Sequence, residues 1–172
     1  MEFNVQIVAD SIAENGARLT SFSLTYPRFI HSAMMTHRMF SRNSSSSRAM
    51  PVPTLIEQVK NFPVIPTYLG KNKKGMQASE EVNELDKGKA IALWLRGRDA
   101  AVEVAEGLSA IGIHKQLANR ILEPYSWITT IVSATDWKNF YFLRISRQAQ
   151  PEIKKIAEMM LAAQDGATPT AL

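Results

Sequence analysis

Arg18-Leu19-Thr20-Ser21-Phe22-Ser23-Leu24-Thr25-Tyr26-Pro27 decides how this chain begins to fold. Phe22, Leu24 and Tyr26 fall on one face and Ser21, Ser23 and Thr25 on the other, the period of two of a half-buried strand. Upstream, Phe3, Val5 and Ile7 alternate with Asn4 and Gln6, and Asn15-Gly16 marks a turn between the two stretches. Two strands joined in this way predict an antiparallel pair. Pro27 ends the second strand and can open a helix at its first turn. Phe29 to Met35 is apolar enough for a short buried helix, which delivers His37 and Arg38 at its C-terminal end.

Downstream, helical patterns dominate. Thr54 to Lys60 reads as a short helix. Arg98 to Ala110 places Ala101, Val104, Ala105 and Leu108 on one face. A further helix is expected from His114 to about Leu122, and another from Trp137 to Arg147. Pro151 opens the last helix, with Ile153, Ile156, Ala157 and Met160 as its apolar stripe. Tyr125 to Asp136 is ambiguous, although the β-branched run Ile128-Thr129-Thr130-Ile131-Val132 favours a strand. Gly70 to Gly75 is a basic loop, either a solvated turn or a ligand contact, and residues 166–172 look like a frayed tail. Strands first and helices later predict an α/β (α+β) fold over a single domain, residues 1–172.

Composition narrows the function. The 172 residues carry a net charge of +4, with 45% hydrophobic and 21% charged residues. This suits a soluble globular chain that favours anionic ligands. No stretch is long and apolar enough for a membrane span, and the N-terminus has no signal-peptide pattern. The absence of cysteine excludes disulfides, thiolate metal sites and cysteine nucleophiles, and fits a cytoplasmic protein. With three histidines and no HExxH pattern, no metal site is expected.

The chemistry concentrates in Thr36-His37-Arg38-Met39-Phe40-Ser41-Arg42-Asn43-Ser44-Ser45-Ser46-Ser47-Arg48. These thirteen residues hold three arginines, one histidine and five serines, and no carboxylate. Arginine grips phosphate with a planar fork of donors, while serine hydroxyls and loop N–H groups add short ones. Three readings stand at this point: a phosphate site, a solvated basic loop and a nucleic-acid loop. A nucleic-acid loop would want exposed aromatics among the basic residues, and Phe40 beside Met39 suits burial better. A second cluster, Asn139-Phe140-Tyr141-Phe142-Leu143-Arg144, ends in an arginine with no carboxylate three or four residues away. A ligand or a distant acid must satisfy Arg144.

Together, the two clusters resemble the flavin-dependent thymidylate synthases. That family's arginine-histidine-arginine triplet, with serine, asparagine, serine and arginine at fixed offsets, is met by His37, Arg38, Ser41, Asn43, Ser46 and Arg48. Its C-terminal Asn-Phe-x-x-Leu-Arg and Ala-Gln-x-Glu-Ile elements are met by Asn139, Phe140, Leu143 and Arg144, then Ala149, Gln150, Glu152 and Ile153. Ala118-Asn119-Arg120-Ile121-Leu122-Glu123-Pro124 is similar to the family's Ala-Arg-x-x-Leu-Pro segment, with small local shifts. Thr36 replaces the first arginine of the triplet, a loss that Arg28 or Arg42 could compensate. Ser44 replaces a glutamate, and the Asn-x-Arg that precedes the Asn-Phe element is not matched. The pattern is that of a divergent member, of the sort viral genomes carry, with the host cytoplasm as its location in that case.

The resemblance implies a twisted antiparallel sheet with a helical layer, in a homotetramer whose active sites lie between subunits. It implies transfer of a one-carbon unit from methylenetetrahydrofolate to C5 of dUMP in dTMP synthesis, with FAD as cofactor and NADPH as reductant. His37, Arg38, Ser44 and Asn139 would contact FAD. Ser44, Ser45, Ser46, Ser47 and Arg48 would hold the dUMP phosphate and sugar, and Arg120 would add a phosphate contact. Arg144 would be catalytic, bound against the uracil and stabilising its anionic form. Without cysteine, the route through thiolate addition is closed, and electrostatic activation by a guanidinium is compatible with that. Alternatives are a related pyrimidine C5 hydroxymethylase, a dCMP-acting enzyme, or a non-catalytic nucleotide- or nucleic-acid-binding module.

Overall fold

The structure is a computed structural model that describes residues 1–172. The chain packs as two compact units, one built from residues 2–26, 30–45 and 128–172, the other from residues 1, 27–29 and 46–127.

The first unit holds a five-stranded sheet in the order β3-β4-β2-β1-β5. β1 (Asn4–Ile12) and β2 (Arg18–Pro27) form the expected antiparallel hairpin, and Gly16 turns it at a φ of 83° that a side chain would oppose. β3 (Ser41–Ser44) pairs antiparallel with β4 (Trp127–Ala134). Side-chain hydroxyls tie β4 to β2, Ser21 with Ser133 at 2.6 Å and Thr25 with Thr129 at 3.1 Å. The alternation forecast for β2 holds: Phe22, Leu24 and Tyr26 are buried, as are Ile128, Thr130, Val132 and Ala134 of β4. Helices α5 (Lys138–Arg144) and α6 (Pro151–Asp165) pack on each other, and α6 lies against β1. Ile153, Ile156, Ala157 and Met160 are buried along α6, and full burial of a side chain of Ile or Met size contributes about 1.5–3 kcal/mol.

Three expectations change here. The arginine-serine run carries no strand pattern in sequence, yet Ser41–Ser44 is a strand, because register with β4 outweighs the weak strand propensity of serine and asparagine. The ambiguous segment resolves as β4 for its β-branched residues. The tail is not frayed: Thr170–Ala171 form β5, parallel to Ser11 and Ile12 of β1.

The second unit is helical. α2 (Val52–Asn61), α3 (Glu84–Ala110), α4 (Lys115–Ala118) and a 3-10 turn over Asn119–Tyr125 surround a core of Leu55, Val59, Val102, Ala105 and Leu122. α3 starts well before the expected Arg98. Asn83 caps it by accepting from the Asp86 N–H, and Glu84 and Asp86 suit its N-terminal dipole. Its buried face is Ala101, Val102 and Ala105, whereas Val104, expected inside, is 50% exposed. The 114–122 helix is α4 followed by the 3-10 turn, with His114 as N-cap accepting from the Gln116 N–H at 3.2 Å. The Gly70–Gly75 loop is exposed beyond Gly70, except that Gly70 itself bridges to Glu81. No helix is long and apolar enough to cross a membrane.

Candidate active site

A cavity of about 310 Å³ in the sheet unit is lined by Thr36 to Phe40 and by Asp136, Asn139, Phe140, Leu143 and Arg144. The start of the first cluster, Thr36 to Phe40, therefore meets the second, about a hundred residues away, whereas Ser44 to Arg48 and Arg120 do not line this cavity. α1 (His31–Met35) ends at Thr36 and presents His37 and Arg38, and α5 presents Asn139 and Arg144. The floor is aromatic: Phe40 and Phe140 stand 5.2 Å apart, and each packs against the His37 ring, at 5.5 and 4.9 Å. Phe40 is buried, so it serves that floor and offers no exposed stacking face.

Arg144 is the best-anchored group of the cavity. Its Nε donates to His37 Nε2 at 2.9 Å, and its Nη2 donates to the Ala33 carbonyl at 3.4 Å and to Thr36 Oγ1 at 3.3 Å. Thr36 in turn donates to the Ala33 carbonyl at 2.7 Å. Every acceptor is neutral, and no carboxylate makes a direct ion pair with the guanidinium, although Asp136 lines the same cavity. No distant acid pairs with Arg144; a neutral imidazole stands in that place. Burial, then Arg144 and then Arg42 push the His37 pKa down to about 4, so the ring is neutral near pH 7. Its Nε2 is the acceptor for Arg144, which puts the single ring proton on Nδ1. Arg144 Nη1, His37 Nδ1, the Arg38 guanidinium and the Asn139 amide have no protein partner. These are four donor groups at one cavity.

The serines divide by what their hydroxyls do. Ser44 Oγ accepts from Thr130 Oγ1 at 3.0 Å, Ser45 Oγ from the Thr129 N–H at 3.3 Å and Ser46 Oγ from the Arg48 N–H at 3.3 Å. Each keeps its own hydroxyl hydrogen to donate. Ser47 differs: it is 4% exposed and donates to Glu123 Oε1 at 2.6 Å, so its hydrogen is already committed. In the helical unit Arg120 is paired with the same carboxylate oxygen at 2.9 Å, and Arg28 Nη2 lies 3.2 Å from it. Arg28 thus serves Glu123, and Arg42 donates to the His37 carbonyl at 2.6 Å. Asn119, fully buried, holds the serine turn through Nδ2, to the Ser47 carbonyl at 2.7 Å and the Met50 carbonyl at 2.9 Å. Sequence reasoning missed Asn119 and Glu123 as individuals. The signal was the local shift in the Ala118–Pro124 segment, which leaves Glu123 between Leu122 and Pro124.

A family model described as thymidylate synthase complementing protein matches residues 18–170. No curated protein matches the chain. Among solved structures, the UMP/dUMP methylase PolB from Streptomyces cacaoi bound with 5-Br dUMP is similar, with a TM-score of 0.76 and 17% identity over 95% of this chain and 90% of that one. The same methylase bound with 5-Br UMP gives a TM-score of 0.74 and 18% identity, covering 95% and 88%. At such identities the likeness is one of fold. The family match spans nearly the whole chain and both clusters that meet at the cavity, so this chain belongs to the thymidylate synthase complementing protein family and is a thymidylate synthase-like enzyme.

Proposed function

We propose that this protein transfers a one-carbon unit from methylenetetrahydrofolate to C5 of dUMP, with FAD as cofactor and NADPH as reductant. The observation that carries the reading is Arg144. A guanidinium held by three neutral acceptors in a cavity keeps its full charge and one free edge, Nη1. Aimed at a uracil carbonyl, it would stabilise the negative charge that makes C5 nucleophilic, the task of preorganised electrostatic catalysis. PolB, similar in fold, was solved with brominated UMP and dUMP, which supports a uridine monophosphate as substrate.

The residues present fit a phosphate-bearing cofactor. The Arg38 guanidinium, the Asn139 amide and the His37 Nδ1–H are donors without protein acceptors at one cavity. At about 310 Å³ the cavity is at the low end of ligand pockets and takes a part of FAD. When bound, the flavin supplies the reducing equivalents of the transfer. Ser44 is a further candidate contact for it. In this reading Ser44, Ser45, Ser46 and Arg48 serve the nucleotide's phosphate and sugar, Arg120 adds a phosphate contact, and Ser47 acts through its tie to Glu123. A homotetramer with sites between copies is part of the proposal. The exposed Leu85, Leu93 and Val104 on α3 are apolar surface that a second copy would cover.

The test is purified protein with dUMP, methylenetetrahydrofolate, FAD and NADPH, with the product identified by mass. dTMP formation that Arg144→Gln abolishes is the expected result. Protein that takes up no FAD and makes no product sinks the proposal. A hydroxymethylated product, or conversion of dCMP instead, favours the second reading, for which the departures at Thr36 and Ser44 are the motive.

A further inference from the structure

The Thr36–Arg48 run has no carboxylate of its own, but the fold brings one to it. Glu123 takes three donors on the single oxygen Oε1: Ser47 Oγ at 2.6 Å, Arg120 Nη1 at 2.9 Å and Arg28 Nη2 at 3.2 Å. Its Oε2 has no protein partner. The donors differ in freedom. Ser47 is 4% exposed and the Arg28 side chain 15%, so parting either from its acceptor is costly. The Arg120 side chain is 50% exposed and its bond to Glu123 is a surface pair three residues apart, which is weak. The serine turn beside them is pinned from behind. Asn119 holds the carbonyls of Ser47 and Met50, and Lys115 Nζ holds that of Ala49 at 3.1 Å. The Ser46 hydroxyl hydrogen and the Arg48 guanidinium stay free to meet an anion.

A carboxylate seated on a serine hydroxyl and two guanidiniums occupies donors that would otherwise take a phosphate. It also keeps them assembled while no anion is bound. We propose that Glu123 is a positioning residue that acts as a built-in competitor for a phosphate monoester at the Ser46–Arg48 turn. Arg28 and Ser47 stay on Glu123 when the anion arrives, while Arg120 exchanges the carboxylate for the phosphate. Glu123 therefore sets how tightly the phosphate end of the nucleotide is held. The inference rests on the nucleotide reading above, and its test does not depend on turnover.

The test is binding of inorganic phosphate, and separately of dUMP and deoxyuridine, to the full chain at fixed low salt. Wild type is compared with Glu123→Gln, Arg120→Gln and the double variant. Gln keeps the shape and an acceptor oxygen while removing the charge. Loss of one negative charge at this range should tighten phosphate and dUMP about 5- to 20-fold and leave deoxyuridine unchanged. Arg120→Gln should weaken phosphate several-fold, and the double variant should lose the gain. Where turnover is measurable, Glu123→Gln should lower the nucleotide KM by a larger factor than it changes kcat, a split that a purely structural role would not produce. Phosphate binding that is unaltered or weakened in a folded Glu123→Gln overturns the proposal, as does an absence of binding in both proteins. Should Glu123→Gln fail to fold, unaltered phosphate binding by Arg120→Gln overturns it instead. Phosphate binding that responds as expected, in a protein that never converts dUMP, would overturn the proposed reaction and leave this inference standing.

Discussion

His37 should stay neutral far below the usual histidine range, and that neutrality is what lets it hold Arg144. A protonated imidazole has no lone pair for Arg144 Nε and would set a second cation 2.9 Å from the guanidinium. Burial, followed by the Arg144 and Arg42 charges, lowers the pKa from 6.5 to about 4. The folded protein therefore binds fewer protons here than the unfolded chain between those values. Stability is full above pH 6.5, falls as the pH drops through that value, and levels off near pH 4. The whole shift corresponds to a ceiling of about 3.4 kcal/mol, of which about 2 kcal/mol is reached by pH 5. The ring is only half-buried, and solvent screening reduces the loss at pH 5 to about 1 kcal/mol. Urea unfolding at pH 7.5 and pH 5 should show wild type losing about that much more than His37→Gln. An NMR titration should place the His37 Cε1–H midpoint near 4, and Arg144→Gln should move it upward. A midpoint near 6.5 in wild type would refute the reasoning, because the ring would then titrate as if neither burial nor the two guanidiniums acted on it.

Other outcomes follow from the same contacts. Arg144→Lys keeps the charge but loses the Nε bond to His37 and the planar fork, so kcat for the proposed transfer should fall about 10²- to 10³-fold in single-turnover assays. Asn119→Ala leaves the Ser47 and Met50 carbonyls without their buried donor and should cost about 1–3 kcal/mol in urea unfolding. Thr130→Val removes the hydroxyl that joins Tyr26 Oη at 2.9 Å to Ser44 Oγ, and should cost about 1–2 kcal/mol and speed amide exchange along β3. Met160→Ala, at a fully buried position, should cost about 2–5 kcal/mol, whereas Val104→Ala, half exposed, should cost under about 0.5 kcal/mol in the monomer.

The β1–β2 hairpin and α6 were legible in the sequence because one periodicity decides each: two for Phe22, Leu24 and Tyr26, and the helical repeat for Ile153, Ile156, Ala157 and Met160. β3 was not, because Ser41-Arg42-Asn43-Ser44 has no apolar face, and only pairing with Ser133 to Thr130 makes it a strand. The first half of α3 was missed for a related reason. Leu85 and Leu93 are exposed, so the only apolar stripe of residues 84–97 is the short, half-buried set Ile91, Trp94 and Leu95, and the Asn83 cap marks where the helix begins. At the site, residue types were legible but their partners were not. Nothing local to Arg144 names an imidazole 107 positions away, and nothing in the serine run says that Ser47 points its hydrogen at Glu123.

Arg144 and Arg120 show why the partner matters more than the residue type. Both are arginines that the sequence offers as anion or substrate contacts. Arg120 sits on a carboxylate shared with Arg28 and Ser47, so its charge is partly offset by a counter-ion. Arg144 sits on an imidazole, a hydroxyl and a carbonyl, so its charge is oriented but not balanced. Such a cation acts on a ligand without first being freed from a counter-ion. That contrast also gives Thr36 a physical role. A third arginine there would add a like charge beside Arg144, whereas the threonine hydroxyl accepts from Nη2 and passes its own hydrogen to the Ala33 carbonyl that Nη2 also uses. The departure from the arginine triplet thus becomes part of the support for the one unbalanced guanidinium of the cavity that is fixed in place, while Arg38, without a protein partner, is left to the ligand.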